Sequence, residues 1–125
     1  MMNQKKLDTK VLNKLPWKQL TNKTISSSSQ REDISSYVDE YDELLFVCKQ
    51  ATGTRHYAPI LIPTALMKSW ANGTMYFETG AYASATAHNG IRFLIAKSDS
   101  TYKIGVEWNF FEGTANNTYV SVLGK

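Results

Sequence analysis

The sequence contains a single cysteine, Cys48, among its 125 residues. No disulfide can therefore form within the chain, and its cysteine usage does not point to an oxidising compartment. A chain of this length can bury a hydrophobic core without covalent cross-links. Because Cys48 lies in an apolar stretch, we expect a buried thiol that packs as a small hydrophobe and is not reactive.

Long hydrophobic runs are also missing. No stretch approaches the roughly 20 apolar residues that a membrane-spanning helix needs. The first residues, Met1–Lys6, carry two lysines, but no apolar segment follows them as it would in a secretion signal. The sequence therefore predicts no membrane span and no secretory leader.

Residues with catalytic or metal-binding chemistry are few and scattered. The two histidines, His56 and His88, lie far apart, and neither is spaced with Cys48 as metal ligands are. There is no glycine-rich phosphate loop and no Gly-x-Ser-x-Gly nucleophile motif. We therefore expect no catalytic residue, no metal site and no cofactor, and predict that the chain is not an enzyme.

One acidic cluster, formed by Asp39, Glu40, Asp42 and Glu43, requires a separate interpretation. A glycosidase uses two carboxylates that flank one bond. A calcium-binding loop needs a glycine at its sharp bend, and this cluster has none. The simplest interpretation is a solvated corner, and a small glycan hydrolase acting through Asp42 or Glu43 is the enzymatic alternative.

The net charge of +3 is concentrated in the N-terminal segment. Residues 1–16 hold four lysines and one aspartate, so the remaining residues carry ten basic and ten acidic side chains. The pI of about 9.0 therefore reflects this segment and not a basic surface on the body of the protein. Nucleic-acid binding, which uses clustered lysine and arginine, is not expected.

Residues 1–16 have the pattern of a short amphipathic arm. Leu7, Val11 and Leu15 recur every four residues with mostly polar residues between them, and Pro16 ends the pattern. An isolated helix of about a dozen residues is marginal in water, so this one needs a surface to pack on. We expect a docking or oligomerisation arm over 1–16 and a β domain over 17–125. The alternatives are an arm folded back on its own domain and a disordered arm.

The rest of the chain consists of short strand-like segments, with turn signals about every ten residues. The densest apolar run, Glu43–Lys49, is predicted to be a central strand buried on both faces. Residues 64–70 predict one helical turn, capped by Thr64 with Leu66, Met67 and Trp70 on one face. Residues 88–90 predict a hairpin turn. The other predicted strands cover residues 17–25, 56–63, 74–78, 91–96, 102–108 and 118–123, with a short strand or extended segment over 33–38.

Alternation of apolar and polar residues predicts which side chains of two strands point inward. These are Ile91, Phe93 and Ile95 in one strand and Tyr102, Ile104, Val106 and Trp108 in the other. A parallel α/β fold would need helices of about 10–15 residues between strands, and the sequence offers none. We therefore predict an all-β protein, an antiparallel β-sandwich of jelly-roll-like type with one short helical turn and an N-terminal arm.

Four residues at predicted loops are candidates for contact with a ligand: Tyr82, His88, Phe110 and Phe111. Flat aromatic rings at loop positions can stack on a sugar ring or a protein partner, and His88 can add a hydrogen bond beside them. Aromatic residues at alternating strand positions are, by contrast, core residues first. This pattern occurs in many β domains and does not identify a ligand.

Several short strings occur in a suggestive order: Leu15–Leu20, Tyr41–Val47, Ile60–Pro63, Gly80–Tyr82 and Tyr119–Leu123. Their order resembles that of a small β-sandwich module found at the C-terminal end of bacteriophage tail-fibre and head-fibre chains and in related virion structural proteins. The resemblance covers residues 15–125 and includes no catalytic motif. In that family the module often follows a long fibrous shaft, whereas only a short segment precedes it here.

The resemblance implies a non-enzymatic structural protein of the bacteriophage virion, of decoration or fibre type. It implies a homo-oligomer, with a homotrimer as the first expectation, whose arm docks to another virion protein. The sandwich is expected to face outward, where it can attach to a glycan of the host surface. The alternative, from a different functional class, is a free-standing carbohydrate-binding module that binds a glycan through its loop aromatics.

Overall fold

The computed structural model describes residues 17–50, 58–82, 88–109 and 118–125. At positions 50, 80–82, 88–90 and 108–109 it describes the backbone but not the surroundings of the side chain. The predicted arm residues Leu7, Val11 and Leu15 lie outside the described residues, as do Phe110 and Phe111.

The described residues form two antiparallel sheets of four strands each, joined by two short helices. The strands are β1 (Lys18–Ile25), β2 (Glu32–Asp33), β3 (Glu43–Gln50), β4 (Ile60–Pro63), β5 (Gly73–Tyr82), β6 (His88–Ser98), β7 (Thr101–Asn109) and β8 (Thr118–Gly124). The helices are α1 (Ser35–Glu40) and α2 (Thr64–Ser69). In the described part of the chain, no helix is long and apolar enough to cross a bilayer.

Sheet A has the strand order β1-β8-β3-β4, and sheet B has the order β2-β7-β6-β5. The first strand therefore pairs with the last, and the second strand pairs with the second to last. The predicted all-β antiparallel sandwich is confirmed. Two connections that cross between the sheets contain the helices: α1 joins β2 to β3, and α2 joins β4 to β5.

The two sheets pack face to face through alternating apolar side chains. The predicted inward residues of sheet B are confirmed, since Ile91, Phe93, Ile95, Tyr102, Ile104 and Val106 are all at most 4% exposed. The side chain of Trp108 is not among those described. Sheet A contributes Leu44, Phe46, Cys48, Val120 and Val122 to the same core. Phe93 stacks on Phe46 across the interface between the sheets, with ring centres 5.7 Å apart.

Strand β3 is an inner strand of sheet A, as predicted, but only one of its faces is buried. Leu44, Phe46 and Cys48 are buried, whereas Leu45 and Val47 are half-buried. The prediction of burial on both faces is wrong because a sheet in an antiparallel sandwich turns only one face to the core.

Residues 35–40 form helix α1, where the sequence predicts a strand or an extended segment. Asp33 precedes the helix, and its Oδ1 accepts a hydrogen bond from the backbone amide of Ser35 at 2.8 Å, as in an Asx turn. Ile34 and Val38 are four residues apart, and both are fully buried. The sequence predicts one helical turn, and this number is wrong because the described residues form two short helices. One apolar pair is too short a pattern to distinguish a helical turn from a strand.

Helix α2 confirms the predicted helical turn but not its details. The hydroxyl of Thr64 does not cap α2; it donates to the backbone carbonyl of Tyr41 at 2.6 Å and so ties the start of α2 to the end of α1. Met67 is fully buried, but Leu66 is 50% exposed. The predicted shared face therefore holds for Met67 and for the half-buried Trp70, but not for Leu66.

The predicted hairpin turn at residues 88–90 is wrong, because these residues belong to strand β6. Strands β5 and β6 stay paired as far as Tyr82 and His88, and Gly80 lies opposite Gly90. Pairing with β5 holds Asn89 and Gly90 in the strand, and it overrides the local tendency of these two residues to form a turn.

The two ends of the sandwich are different. One end, which we call the helical end, contains α1, α2, the β6–β7 turn and the start of β1. Trp17 lies beside Lys125 there, with the Nζ atom of Lys125 5.8 Å from the centre of the indole ring. The opposite end, which we call the loop end, contains the strand ends that flank residues 51–57, 83–87 and 110–117.

Asp33 is expected to make folding pH-dependent. The hydroxyl and the backbone amide of Ser35, with the charge of Lys103, outweigh desolvation and lower the pKa of Asp33 below its usual 3.8. A lowered folded-state pKa stabilises the fold above the unfolded pKa, and this stabilisation is lost as pH falls through the folded value. Wild type is therefore expected to be more stable than Asp33→Asn at pH 6 to 7, and the difference should shrink below pH 3.8.

Denaturant unfolding of both proteins between pH 2.5 and 7 measures this effect, and Asp39→Asn is the matched control. Asp39 is an exposed residue of α1, so its replacement should change the free energy of unfolding at pH 6 to 7 by no more than about 0.5 kcal/mol. A constant difference between wild type and Asp33→Asn across this range would contradict the role of the Asp33 carboxylate.

Candidate functional site

Nine positions of β5, β6 and β7 form the outer face of sheet B, the side turned away from the core. Along each strand they alternate with the residues on the core side of the sheet. Strand register places them in three rows: Thr74, Ala96 and Lys103; Tyr76, Leu94 and Gly105; and Glu78 and Arg92. Glu107 joins the third row at the register shift of β7, where Arg92 is paired with Trp108 and Glu107 lies within ion-pair distance of Arg92. Residues far apart in the sequence are thereby brought onto one surface.

Arg92 lies between two carboxylates on this face. Its Nε atom is 3.7 Å from Oε1 of Glu78 and 3.6 Å from Oε2 of Glu107. The register of β7 shifts by one residue opposite Arg92, and such a bulge re-aims side chains. The contacts are ion pairs longer than hydrogen bonds. Within the described residues, Arg92 Nε and Glu107 Oε2 are buried and have no hydrogen-bond partner.

Tyr76 is the exposed aromatic residue of the middle row. Its side chain is 49% exposed, whereas its neighbour Leu94 on β6 is only 5% exposed. The guanidinium carbon of Arg92 lies 4.4 Å from the centre of the Tyr76 ring, a distance typical of a cation–π contact. Thr74 and Glu78, the outward residues on either side of Tyr76 along β5, are exposed. An exposed ring held among hydrogen-bonding groups suits a polar ligand with a flat apolar side.

A shallow hollow of about 410 Å³ adjoins the middle row, which contains Tyr76, on the side of the helical end. It is lined by Gly73, Thr74, Ala96, Lys97, Ser98, Thr101 and Lys103. On the middle row the side chain of Arg31 lies over Gly105, where a Cβ atom would come within 2.5 Å of the Arg31 Nη1 atom. The surface therefore offers hydroxyl and ammonium groups in the hollow that adjoins the Tyr76 row.

Two of the four predicted ligand-contacting residues, Tyr82 and His88, belong to the loop end, away from this hollow; the other two, Phe110 and Phe111, lie outside the described residues. Tyr82 and His88 are strand residues opposite each other at the ends of β5 and β6, and not loop residues as predicted. Their side chains are not among those described. Asn109, the last residue of β7, pairs with Ile91 of β6.

Cys48 is confirmed as a buried residue, 1% exposed. Burial raises the pKa of its thiol to about 12, so the thiol stays protonated and unreactive at neutral pH. The acidic cluster is in part helical: Asp39 and Glu40 are exposed on α1, and Asp42 is exposed just after it. In residues 17–50, 58–82, 88–109 and 118–125, no three His, Cys, Asp or Glu side chains come close enough to hold a metal ion.

The sequence does not reveal the outer face of sheet B, because strand register is needed to bring its residues together. A weaker signal is present. Arg92 interrupts an otherwise apolar run, and Tyr76 and Glu78 alternate with apolar residues. Such polar positions in a predicted strand mark its outward face, but they do not show which strands are neighbours.

Comparisons with protein-family models, with curated proteins and with solved structures find no match to this chain.

Proposed function

We propose that this chain is a non-enzymatic structural component of a bacteriophage virion, of the decoration or fibre type. Residues 1–16 dock it to another virion protein, and the sandwich extends outward from that attachment. The proposal begins from the resemblance of residues 15–125 to the β-sandwich modules of phage fibres. The structural observation that supports it is the difference between the two ends of the sandwich.

The arm joins the sandwich at the helical end, where Trp17 precedes β1. Tyr82 and His88 lie at the opposite end of β5 and β6. A strand of ten residues such as β5 is about 30 Å long. A sandwich attached through its arm therefore presents the loop end, about 30 Å away, to the surroundings. This geometry suits a display module that contacts a host-surface glycan at the end opposite its attachment.

The arm also supplies the proposed assembly. Its apolar stripe, Leu7, Val11 and Leu15, needs a surface to be stable. Three copies that pack their stripes together would satisfy this need, so a homotrimer is the proposed state. The four lysines of residues 1–16 favour a docking surface with acidic side chains on the partner virion protein.

Changing the stripe to aspartate tests the docking role. The variant with Leu7→Asp, Val11→Asp and Leu15→Asp is introduced into the genome that encodes the chain, and the copies per purified particle are counted by quantitative mass spectrometry. We expect at least a tenfold loss of incorporation, because three charges replace the apolar surface. The oligomeric mass of the purified variant, measured by sedimentation, should also fall to one third of the wild-type value.

The matched control is Thr9→Asp, Leu12→Asp and Asn13→Asp, which makes the same change in charge on the opposite face of the predicted helix. It should enter particles at close to the wild-type level. Equal incorporation of the two variants would contradict docking through the stripe. If the wild-type chain is missing from purified particles, the assignment to the virion is wrong.

A second candidate is a free-standing carbohydrate-binding module. The exposed Tyr76 ring beside Arg92, Glu78 and Thr74 favours it, because this face combines an aromatic surface with hydrogen-bonding groups. This candidate predicts that the purified chain binds a bacterial glycan without any other virion protein.

Titration calorimetry with a panel of purified capsular and cell-wall polysaccharides tests this candidate. If sheet B carries the site, Tyr76→Ala should weaken binding at least tenfold, and Thr24→Ala, an exposed change on β1, should not. If the predicted ligand-contacting residues carry it, the loss should follow Phe110→Ala and Phe111→Ala instead. Absence of binding to every polysaccharide in the panel would reject the candidate.

A further inference from the structure

Each sheet of the sandwich has two edge strands, and three of these four strands are protected against pairing with another chain. Strand β2 has only two residues. Strand β4 has four residues; Pro59 comes directly before it, and Pro63 is its last residue. Strand β1 carries Lys18 and Lys23, and its register with β8 shifts at Leu20. Short strands, prolines, lysines and bulges all hinder pairing between edges.

Strand β5 is the fourth edge and has none of these protections. Its ten residues include no proline, lysine or arginine, and they pair with β6 in unbroken register. Met75 is 38% exposed and Tyr76 is 49% exposed. Among the described residues, none outside β6 makes a backbone hydrogen bond with β5. A long apolar edge without protection is a template for another strand.

We propose that β5 pairs with β5 of a second copy of this chain, in antiparallel orientation, about a two-fold axis at Tyr76. In a continuous sheet, residues directly opposite each other point to the same face. The axis must therefore pass through a residue and not between two residues. Centring it on Tyr76 pairs the whole stretch 73–79, seven residues of each copy.

The side chains complement each other in this register. On the outer face, Tyr76 lies opposite Tyr76 of the second copy, and Thr74 lies opposite Glu78 of the second copy, where its hydroxyl can donate to the carboxylate. On the inner side, Met75 lies opposite Phe77 of the second copy. Because of the two-fold axis, the Thr74–Glu78 and Met75–Phe77 contacts each occur twice. Cross-strand pairs of these types stabilise sheets.

A shift of the axis to Met75 is less favourable. It pairs only residues 73–77 and places Glu78 opposite Asn72, whose side chain already bonds both the backbone amide and the carboxylate of Asp99. Toward the C-terminal end of β5, the paired stretch is limited by Thr79, whose hydroxyl donates to the carbonyl of Ala58 at 2.6 Å. The segment that leads into β4 therefore lies beside β5 there, and the free edge ends at Thr79.

The contact uses the same patch on both copies, as a two-fold interface does. It joins two four-stranded sheets into one sheet of eight strands, within the usual range of sheet size. It does not involve residues 1–16, so it is independent of the proposed docking through the arm.

Disulfide trapping in the full chain tests the register. Antiparallel partners have Cα atoms about 4.5–5.5 Å apart, within the range that a disulfide bridges. Tyr76→Cys should therefore convert most of the protein to a covalent dimer under mild oxidation. Thr74→Cys should not, because its two copies lie four residues apart along the paired strands. Cys48 is buried and adds little background.

Lys23→Cys, an exposed position on β1, measures random cross-linking. The proposal is supported if Tyr76→Cys cross-links at least tenfold faster than Thr74→Cys and Lys23→Cys. It is overturned if Tyr76→Cys reacts no faster than these two controls.

Sedimentation of the full chain gives a second readout. Tyr76→Lys places two like charges opposite each other at the axis and should halve the mass of the assembly, whether or not the arm also associates. Thr24→Lys adds the same charge to exposed β1 and should leave the mass unchanged. An unchanged mass for Tyr76→Lys would contradict the proposed contact.

Discussion

Replacing Phe93 by alanine is expected to lower the free energy of unfolding by about 3–5 kcal/mol. Phe93 is fully buried and stacks on Phe77 of β5 and on Phe46 of β3, with ring centres 5.2 Å and 5.7 Å away. It therefore joins sheet B to sheet A at the centre of the core. Because domains are stable by only about 5–15 kcal/mol, this loss is a large fraction of the total stability.

Denaturant titration followed by circular dichroism measures this loss. Thr24→Ala, an exposed change on β1, should alter the free energy of unfolding by no more than about 0.5 kcal/mol. Phe93→Leu should lose less than Phe93→Ala because it leaves a smaller cavity. A loss below about 1 kcal/mol for Phe93→Ala would contradict the packing of Phe93 between the two sheets.

Replacing Lys97 by methionine is expected to cost about 2–3 kcal/mol of stability. The ammonium of Lys97 donates to the backbone carbonyls of Met67, Lys68 and Trp70, at 3.2, 2.9 and 2.6 Å. These carbonyls lie at the C-terminal end of α2, where a cation is also favourable to the helix dipole. Methionine keeps most of the apolar stem but leaves all three carbonyls without the charged donor.

The matched control is Lys103→Met on the neighbouring strand β7. Lys103 lies opposite Ala96 in the register of β6 and β7, and its side chain is exposed. Its replacement is expected to change stability by no more than about 0.5 kcal/mol. Equal denaturation midpoints for Lys97→Met and Lys103→Met would exclude a structural role for the contacts between Lys97 and α2.

Strand positions and the inward face of sheet B were predictable because alternation is a local signal. Ile91, Phe93 and Ile95, with Tyr102, Ile104 and Val106, read as two amphipathic strands and are buried as predicted. Helix α1 was missed because Ile34 and Val38 form its only buried apolar pair. A single pair of this kind fits both a helical turn and an irregular strand.

Features that depend on strand pairing were not predictable. The turn expected at residues 88–90 follows local propensity, but pairing with β5 extends β6 to His88. The cluster of Glu78, Arg92 and Glu107 needs both the strand order of sheet B and the register shift in β7. The burial of β3 on one face only depends on the layers of the fold, which the apolar run Glu43–Lys49 does not reveal.

The neighbouring positions of Trp17 and Lys125 have a practical consequence for engineering. Strand β1 pairs with β8, and the backbone carbonyl of Lys125 accepts hydrogen bonds from the amides of Asp42 and Glu43, each at 3.0 Å. A fluorescent protein fused after Lys125 would therefore emerge beside Trp17, the residue that precedes β1. Such a fusion leaves the far tip of the molecule open to contact, while the label sits close enough to crowd anything that binds next to Trp17.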